Sequence, residues 1–354
     1  MTVLNRRNLT MRTSRFLPAL ALLAAGAALT GCQSSKASTS SGGTPTVKIM
    51  VGGIDKVIYL PAKLTEQLGY FKDAGVDVQL LSEPAGAQAE NVLLAGQVQG
   101  VVGFYDHTVA LQPQGKCLTS VVQMSKAPGE VEIVSTKKAS TFTGFAAAKG
   151  AKLGVTSPGS STDFLTRALA VRNGVKDSDY TTVKAGAGTT FISALAQGAI
   201  DAGMTTDPTV AKLVSSGAGK VLVDMRTEEG SKAALGGAYP SSSLYMDCGW
   251  VSKNSATVQK LANAMVKTLA WMSTHSAAEI AAKMPADFKG DDAALYTKAV
   301  GDTMPMFTSD GVMPADGPAT VLKVLGTFNP AVKGKESSID LSKTFTTKFV
   351  DAAE

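Results

Sequence analysis

Apolar runs alternate with helical periodicity along this chain, and the alternation is written out twice at a fixed offset. Gly86 opens a helical stretch that closes at Gly96, after which Val98, Val101 and Val102 lead into Tyr105. The same order returns 102 residues later, from Gly188 to Gly198 and then through Ile200, Ala202 and Met204 to Asp207. A parallel strand pair needs a crossover, and a helix is the usual one, so strict alternation predicts α/β lobes with mainly parallel sheets. Strands are expected at 47–51, 76–81, 100–104, 118–124 and 131–136, with helices at 60–71 and 87–95. After the second unit, 221–224 and 244–252 read as strands, and then strands cease. Helical patterns at 255–275, 277–284, 292–303, 319–328 and 341–353 predict a helical C-terminal tail packed on the first lobe. Leu261, Met265, Leu269 and Met272 form one apolar stripe there, a core face. The expected division is 47–136 with 243–354 as the first lobe and 137–242 as the second, joined by two hinge strands.

The stretch 151–170 holds the most suggestive turn. Lys152 to Thr156 reads as a buried strand, and from Thr162 onward Phe164, Leu165, Ala168, Leu169 and Val171 recur at helical spacing. Between them lies Ser157-Pro158-Gly159-Ser160-Ser161, and Ser160 followed by Asp163 fits a capping box. A helix N-terminus there presents N–H groups and partial positive charge suited to a small oxyanion. The same residues also make a plain turn with no ligand. In open α/β sheets the ligand crevice lies at the carboxyl ends of the strands, and two facing lobes place those ends around one cleft.

Composition narrows the partners. Of 34 basic residues, Arg6, Arg7, Arg12 and Arg15 fall in a leader without acids, leaving 30 against 29 acidic residues in the rest. A nearly neutral body gives no footprint for nucleic acid. The leader has a basic segment, an apolar run from Phe16 to Leu29 and small residues at its end, the parts of a secretory signal. Met11 is an alternative start, and Arg6-Arg7 only loosely fits a twin-arginine signal. Leu29-Thr30-Gly31-Cys32 resembles the lipobox of bacterial lipoproteins, which implies a signal peptide at 1–31 and a lipid on Cys32. The Ser/Gly-rich segment 32–46 reads as a flexible tether, with a reach on the order of 20 Å. Cys117 and Cys248 either pair in an oxidising compartment or stand as two buried thiols.

The inventory of chemistry is thin. His107 and His275 are the only histidines, and no zinc-binding, phosphate-loop or nucleophile-elbow motif occurs. Gly186-Ala187-Gly188 begins like a dinucleotide fingerprint, but Phe191 stands where its third glycine belongs. Asp55, Asp106 and Asp207 have no partner base or nucleophile in the sequence. No catalytic residue, metal or cofactor is therefore expected, and a binding protein is expected over an enzyme.

Several motifs carry a resemblance as a set. In the first half they are Val51-Gly52-Gly53-Ile54-Asp55, the stretch 68–78 and the stretch 94–100; in the second they are 152–162, 196–202 and Thr206-Asp207-Pro208. Over roughly 46–270 the chain resembles the nitrate, sulfonate, taurine and thiamine-precursor solute-binding proteins of ABC importers. The resemblance implies a periplasmic-binding-protein-like fold of type II, monomeric, whose cleft closes on one small organic anion or zwitterion. It also implies delivery to a permease, from the periplasm or the outer face of the cytoplasmic membrane. A thiamine-precursor pyrimidine or another planar aromatic is the alternative solute. Ligand contacts implied by position are Gly53, Ile54 and Asp55, then Tyr59, Gly86, Tyr105, Asp106 and His107. In the second lobe they are Ser157, Gly159, Ser160, Ser161, Thr162 and Asp207. No Arg occurs in these loops, so an oxyanion would rest on N–H groups and hydroxyls, with Lys56 the nearest cation. Gly53, Gly86 and Gly159 equally fit turns, and Tyr59, Tyr105 and Trp250 either stack on a planar ligand or fill the core. His107 either packs or touches ligand. Asp207 either caps the next helix or faces the cleft, where its charge favours an amine. Fungal pyrimidine-synthesis enzymes share this fold, but their cysteine-rich segment is missing here.

Overall fold

Two five-stranded sheets of the same plan make up the computed structural model, which describes residues 44–353. The strands are β1 (Thr46–Val51), β2 (Asp77–Ser82), β3 (Gly100–Phe104), β4 (Leu118–Gln123) and β5 (Glu130–Ser135). They continue as β6 (Lys152–Val155), β7 (Thr181–Lys184), β8 (Ala202–Thr206), β9 (Gly219–Asp224) and β10 (Ser242–Asp247). The first sheet runs β2-β1-β3-β10-β4 and the second β7-β6-β8-β5-β9. In each, a parallel trio is followed by one strand antiparallel to both its neighbours, β10 in the first sheet and β5 in the second. The repeat seen in the sequence is therefore real in three dimensions: β3 and β8 coincide at the 102-residue offset.

Each antiparallel strand is donated by the far side of a crossing. That corrects one boundary: residues 130–135, expected in the first lobe, pair in the second sheet. The physical reason is that Val131 and Ile133 bury against Phe191, Leu195, Val210 and Leu213 of the second lobe, while β10 already fills the place beside β4. The chain thus crosses at 124–129 and again at 236–241. The two crossings lie side by side, with Ser125 Oγ and Ser241 Oγ 2.8 Å apart and Met124 N–H donating to the Ser242 carbonyl at 2.8 Å.

In the first half the helices are α1 (Leu60–Gln67), α2 (Tyr70–Asp73), α3 (Gly86–Leu94) and α4 (Asp106–Leu111). The second half adds α5 (Ser161–Arg172), α6 (Thr189–Ala196), α7 (Thr209–Ser215) and α8 (Glu228–Leu235). The tail holds α9 (Cys248–Lys253), α10 (Ser255–Ser273), α11 (Ala277–Lys283), α12 (Ala286–Lys289), α13 (Ala293–Thr303), α14 (Gly317–Phe328) and α15 (Lys348–Asp351). The expected stripe on α10 is buried, with Leu261, Met265 and Leu269 fully inaccessible and Met272 nearly so. It packs α10 against α1, α2 and β4. The tail does not stop at the first lobe: α13 lies on α7, and α14 packs against both α4 and α5.

Three expected elements differ. The helix expected at 60–71 breaks at Gly69, whose φ of 77° ends α1 and starts α2. The strand expected at 244–252 stops at Asp247, whose carboxylate caps α9 by accepting from Trp250 N–H at 2.9 Å. Of the helix expected at 341–353, a 3-10 turn at Leu341–Lys343 and the short helix Lys348–Asp351 form; Thr344 to Thr346 between them bond to Ser120 on edge strand β4. β-branched and aromatic residues there suit strand pairing, and the pairing covers an open sheet edge. Among the described residues no helix is long and apolar enough to cross a membrane. The leader, Cys32 and the tether through residue 43 lie outside the described residues.

Cys117 and Cys248 are joined by a disulfide, with Cα atoms 5.5 Å apart. It ties the residue before β4 to the first turn of α9 across a sequence separation of 131 residues. Closing so long a loop restricts the unfolded chain by about 4–5 kcal/mol in the entropic account. Replacing both cysteines by Ser is predicted to lower stability by about 2–5 kcal/mol, read from the urea midpoint; an unchanged midpoint contradicts the assignment.

Candidate functional site

The carboxyl ends of β1 and β3 face those of β6 and β8, and a cavity of about 10 Å³ lies where the lobes meet. That volume is on the scale of one water molecule, so the cavity as it stands has no room for a larger solute. Lys56, Ile58, Tyr59, Gly86 and Phe104 line it from the first lobe, and Glu130, Thr156, Ser160, Ser161, Thr162 and Thr206 from the second.

Lys56 folds back over its own turn, 6 % exposed, donating to the carbonyls of Gly52 at 2.7 Å and Pro84 at 3.1 Å. Gly53 makes this possible: its φ is +112°, and a Cβ there would sit 2.5 Å from Lys56 Cε. Burial lowers the Lys56 pKa to about 8, against the pull of Asp55 and Glu130. Opposite it, Glu130 begins β5 and is 2 % exposed, and its Oε2 has no hydrogen-bond partner. Burial first, and then the Asp106 charge, push its pKa well above the ordinary carboxylate value; Lys56 only partly offsets this. Glu132, on the same face of β5, is fully buried with both oxygens unpartnered, and burial raises its pKa too. It does not line the cavity.

The serine turn reaches across the gap. Ser160 occupies the N-cap position of α5, but its hydroxyl accepts from Ala87 N–H of the opposite lobe at 3.1 Å. Asp163 accepts from Gly159 N–H at 2.9 Å instead of from the cap backbone. The expected capping box is therefore absent, because both side chains have other partners. Ser161 donates to Asp106 Oδ1 at 2.9 Å, and Tyr239 O–H donates to Oδ2 at 2.9 Å. Thr162 Oγ1 accepts from Thr156 N–H at 3.0 Å, which fixes the turn. Val57 N–H donates to the Asp207 carbonyl at 3.0 Å, a further link between lobes.

Ser161 also lies 3.5 Å from His107 Nε2, whose Nδ1 is 2.5 Å from Glu90 Oε2. Serine, histidine and acid in that order resemble a hydrolytic triad, which spacings of 90, 107 and 161 gave no means of seeing. The protons are placed wrongly for attack. Burial would lower the His107 pKa, but Glu90 and Asp106 outweigh it and hold the value up at about 9. That pull favours the imidazolium, a poor base, and the Ser161 hydroxyl donates to Asp106 instead of to the ring. Burial raises the Asp106 pKa above the usual carboxylate value, against the pull of His107 and the bonds from Ser161 and Tyr239. The cluster positions Ser161.

Other expected contacts lie elsewhere. Asp55 is exposed and Ile54 half-buried, and neither lines the cavity. Tyr105 is fully buried and turned away, its hydroxyl 2.5 Å from Thr344 Oγ1 and its ring edge-on to Phe345. Ser157 is buried and Gly159 exposed, both outside the lining. Asp207 does not face the cavity: Oδ1 caps α7 through Ala211 N–H at 3.0 Å, and Oδ2 pairs with Arg226 at 3.0 Å. Thr303 of α13 also donates to Oδ2 at 3.2 Å, so the carboxylate is fully engaged and does not select an amine in the cleft. Trp250 lines a separate groove beside the disulfide. Gly86 does line the cavity, where a Cβ would come within 3.0 Å of His107 Nε2. Among the described residues no group of three or more His, Cys, Asp or Glu could hold a metal ion. The residues sequence reasoning passed over are Ile58, Phe104, Thr156, Thr206 and above all Glu130. A signal for Glu130 existed: Glu130 and Glu132 alternate with Val131 and Ile133, putting two carboxylates on one face of an interior strand.

Comparison with known proteins places this geometry. A protein of Bordetella bronchiseptica RB50 superposes with a TM-score of 0.82 at 36 % identity, covering 86 % of this chain and 96 % of that one. The periplasmic nitrate-binding protein NrtA of Synechocystis PCC 6803 gives a TM-score of 0.68 at 13 % identity, over 86 % and 87 % of the two chains. The alkanesulfonate-binding protein SsuA of Xanthomonas axonopodis pv. citri, bound to MOPS, gives 0.66 at 17 %, over 86 % and 99 %. The fold is that of periplasmic binding proteins. In sequence, the 4-amino-5-hydroxymethyl-2-methylpyrimidine phosphate synthase THI13 of Saccharomyces cerevisiae is 27 % identical over 146 residues. That match covers 41 % of this chain and 42 % of the yeast enzyme, so the chain spans less than half the length of its curated relatives. The family described as NMT1/THI5 like matches residues 59–279, well over half of the chain. The chain belongs to the NMT1/THI5-like family.

Proposed function

We propose that this chain is the extracytoplasmic solute-binding component of an ABC importer, anchored by a lipid on Cys32. The solute is a small organic anion or zwitterion, sulfonate- or taurine-like, held between Lys56 and the hydroxyls of Ser160, Ser161 and Thr162. One observation carries the reading: a buried lysine and a hydroxyl-rich helix start close on one cavity from opposite lobes. Hydrogen bonds across the gap support a closed state of the two lobes, and the paired crossings at 124–129 and 236–241 support a hinge between them. The secretory leader and the names of the nitrate- and alkanesulfonate-binding neighbours support the extracytoplasmic placement and the permease partner. A thiamine-precursor pyrimidine is the second reading. It is favoured by Tyr59 and Phe104, edge-on at 6.4 Å beside the cavity, and by the name of the yeast relatives. Catalysis is disfavoured because Glu90 and Asp106 pull His107 toward its imidazolium form and Ser161 donates to Asp106.

Replacing Ser160 and Ser161 by Ala removes two hydroxyls that bridge the lobes. Affinity for the true solute is predicted to fall by about 1–3 kcal/mol, measured by calorimetry; an unchanged dissociation constant places the solute elsewhere. Lys56 supplies a pH signature. Its charge is complete well below pH 8 and is lost as pH rises through about 8. Affinity for a sulfonate or carboxylate is therefore predicted to hold at pH 6–7 and to fall about tenfold per unit at alkaline pH. Lys56→Met is predicted to bind weakly at every pH, with no such slope; a wild-type-like slope in that variant assigns the titration to another group.

A further inference from the structure

Glu130 is the one carboxyl side chain among the residues that line the cavity. It is 2 % exposed, and its Oε2 has no hydrogen-bond partner. An ionised carboxylate in such a place needs donors or a cation in contact with it. The groups around it are engaged elsewhere. The Lys56 ammonium donates to the carbonyls of Gly52 and Pro84, and Tyr239 from the second crossing donates to Asp106, as Ser161 does. Asp106 at the start of α4 and Glu132 farther along β5 both oppose a charge on Glu130, and Lys56 offsets them only in part. Tyr59, lining the same space, is held protonated by burial.

These surroundings suit the neutral acid. A carboxylic acid carries an O–H donor, and a buried donor costs free energy until it meets an acceptor. Oε2 meets none in the protein, whereas an oxyanion supplies one. We infer that Glu130 is a carboxylic acid in the closed protein and donates a hydrogen bond to an oxyanion of the solute, alongside Lys56 and the turn Ser160–Thr162. This rests on the solute-capture reading above and deepens it. The site then holds an anion with one cation and a set of neutral donors, and the solute meets no negative charge from β5.

Calorimetry on the purified protein at pH 7 with ethanesulfonate, propionate and nitrate tests it. For a probe that binds, Glu130→Gln is expected to stay within about threefold of the unmodified protein, because the carboxamide N–H donates in place of the acid. Glu130→Leu is expected to bind about tenfold more weakly, on the order of one hydrogen bond. Binding tighter by about tenfold or more in Glu130→Gln overturns the inference, since it marks a carboxylate that repelled the anion. Unchanged affinity in Glu130→Leu also overturns it, because the solute then makes no use of this side chain. Infrared difference spectra of the unmodified protein give a readout that stands even where a variant fails to fold. Adding the probe is expected to shift a carboxylic-acid C=O band, one that Glu130→Gln lacks and Glu132→Gln keeps. A bound probe that shifts no carboxylic-acid band overturns the inference and leaves solute capture intact. Absence of binding by all three probes removes the anionic solute, and this inference with it.

Discussion

Removal of charge from water at the junction of two lobes is the constraint on which this structure turns. Lys56, Asp106, His107 and Glu130 are all within a few per cent of fully buried, and ionised groups in such places require partners. Most have them. Lys56 rests on two carbonyls, His107 on Glu90, and Asp106 on Ser161 and Tyr239. The partners of Asp106 come from different parts of the fold, Ser161 from the second lobe and Tyr239 from a crossing between lobes. Satisfying that one carboxylate therefore holds the two halves in register. Parting the lobes would expose it to water, and the proposed hinge requires two such states of similar free energy.

The sheets explain why the polar groups converge. Parallel strands all present their carboxyl ends on one side, and loops there hold whatever a fold binds. Duplicating the unit and exchanging one antiparallel strand, β10 for β5, faces the two sets of loops toward each other. The tail adds a constraint that neither lobe supplies. α14 touches α4 and α5 together, and Phe328 packs 5.9 Å from Phe164, itself 5.7 Å from the His107 ring. Any opening motion has to slide or rotate this helix.

Much of the plan was legible in residue order. The 102-residue repeat, the strand–turn–helix at 152–172 and the apolar stripe of α10 all follow from periodicity, which local sequence encodes directly. What escaped was set by tertiary competition. Ser160 and Asp163 have the spacing of a capping box, but Ala87 and Gly159 offer their N–H groups in its place. Tyr105 and Asp55 sit in the right loops but do not line the cavity, Tyr105 because its hydroxyl bonds Thr344 in the core and Asp55 because it stays exposed. Asp207 reads either as a helix cap or as a cleft charge, and the structure gives the cap, with Arg226, 19 residues on, paired to its other oxygen. Glu130 escapes sequence inspection because carboxylates alternating with apolar residues ordinarily mark a solvent-facing side of a strand, whereas both faces of β5 are buried.

A crystal structure of the protein with the tightest binder from a panel of sulfonates, carboxylates, amines and pyrimidines tests the central claim most directly. The account predicts solute density enclosed by Lys56, Tyr59, Glu130 and the turn Ser160–Thr162, with the lobes closed around it. Density confined to another surface, such as the groove bordered by Met304 and Met313 or the one beside the disulfide, contradicts it.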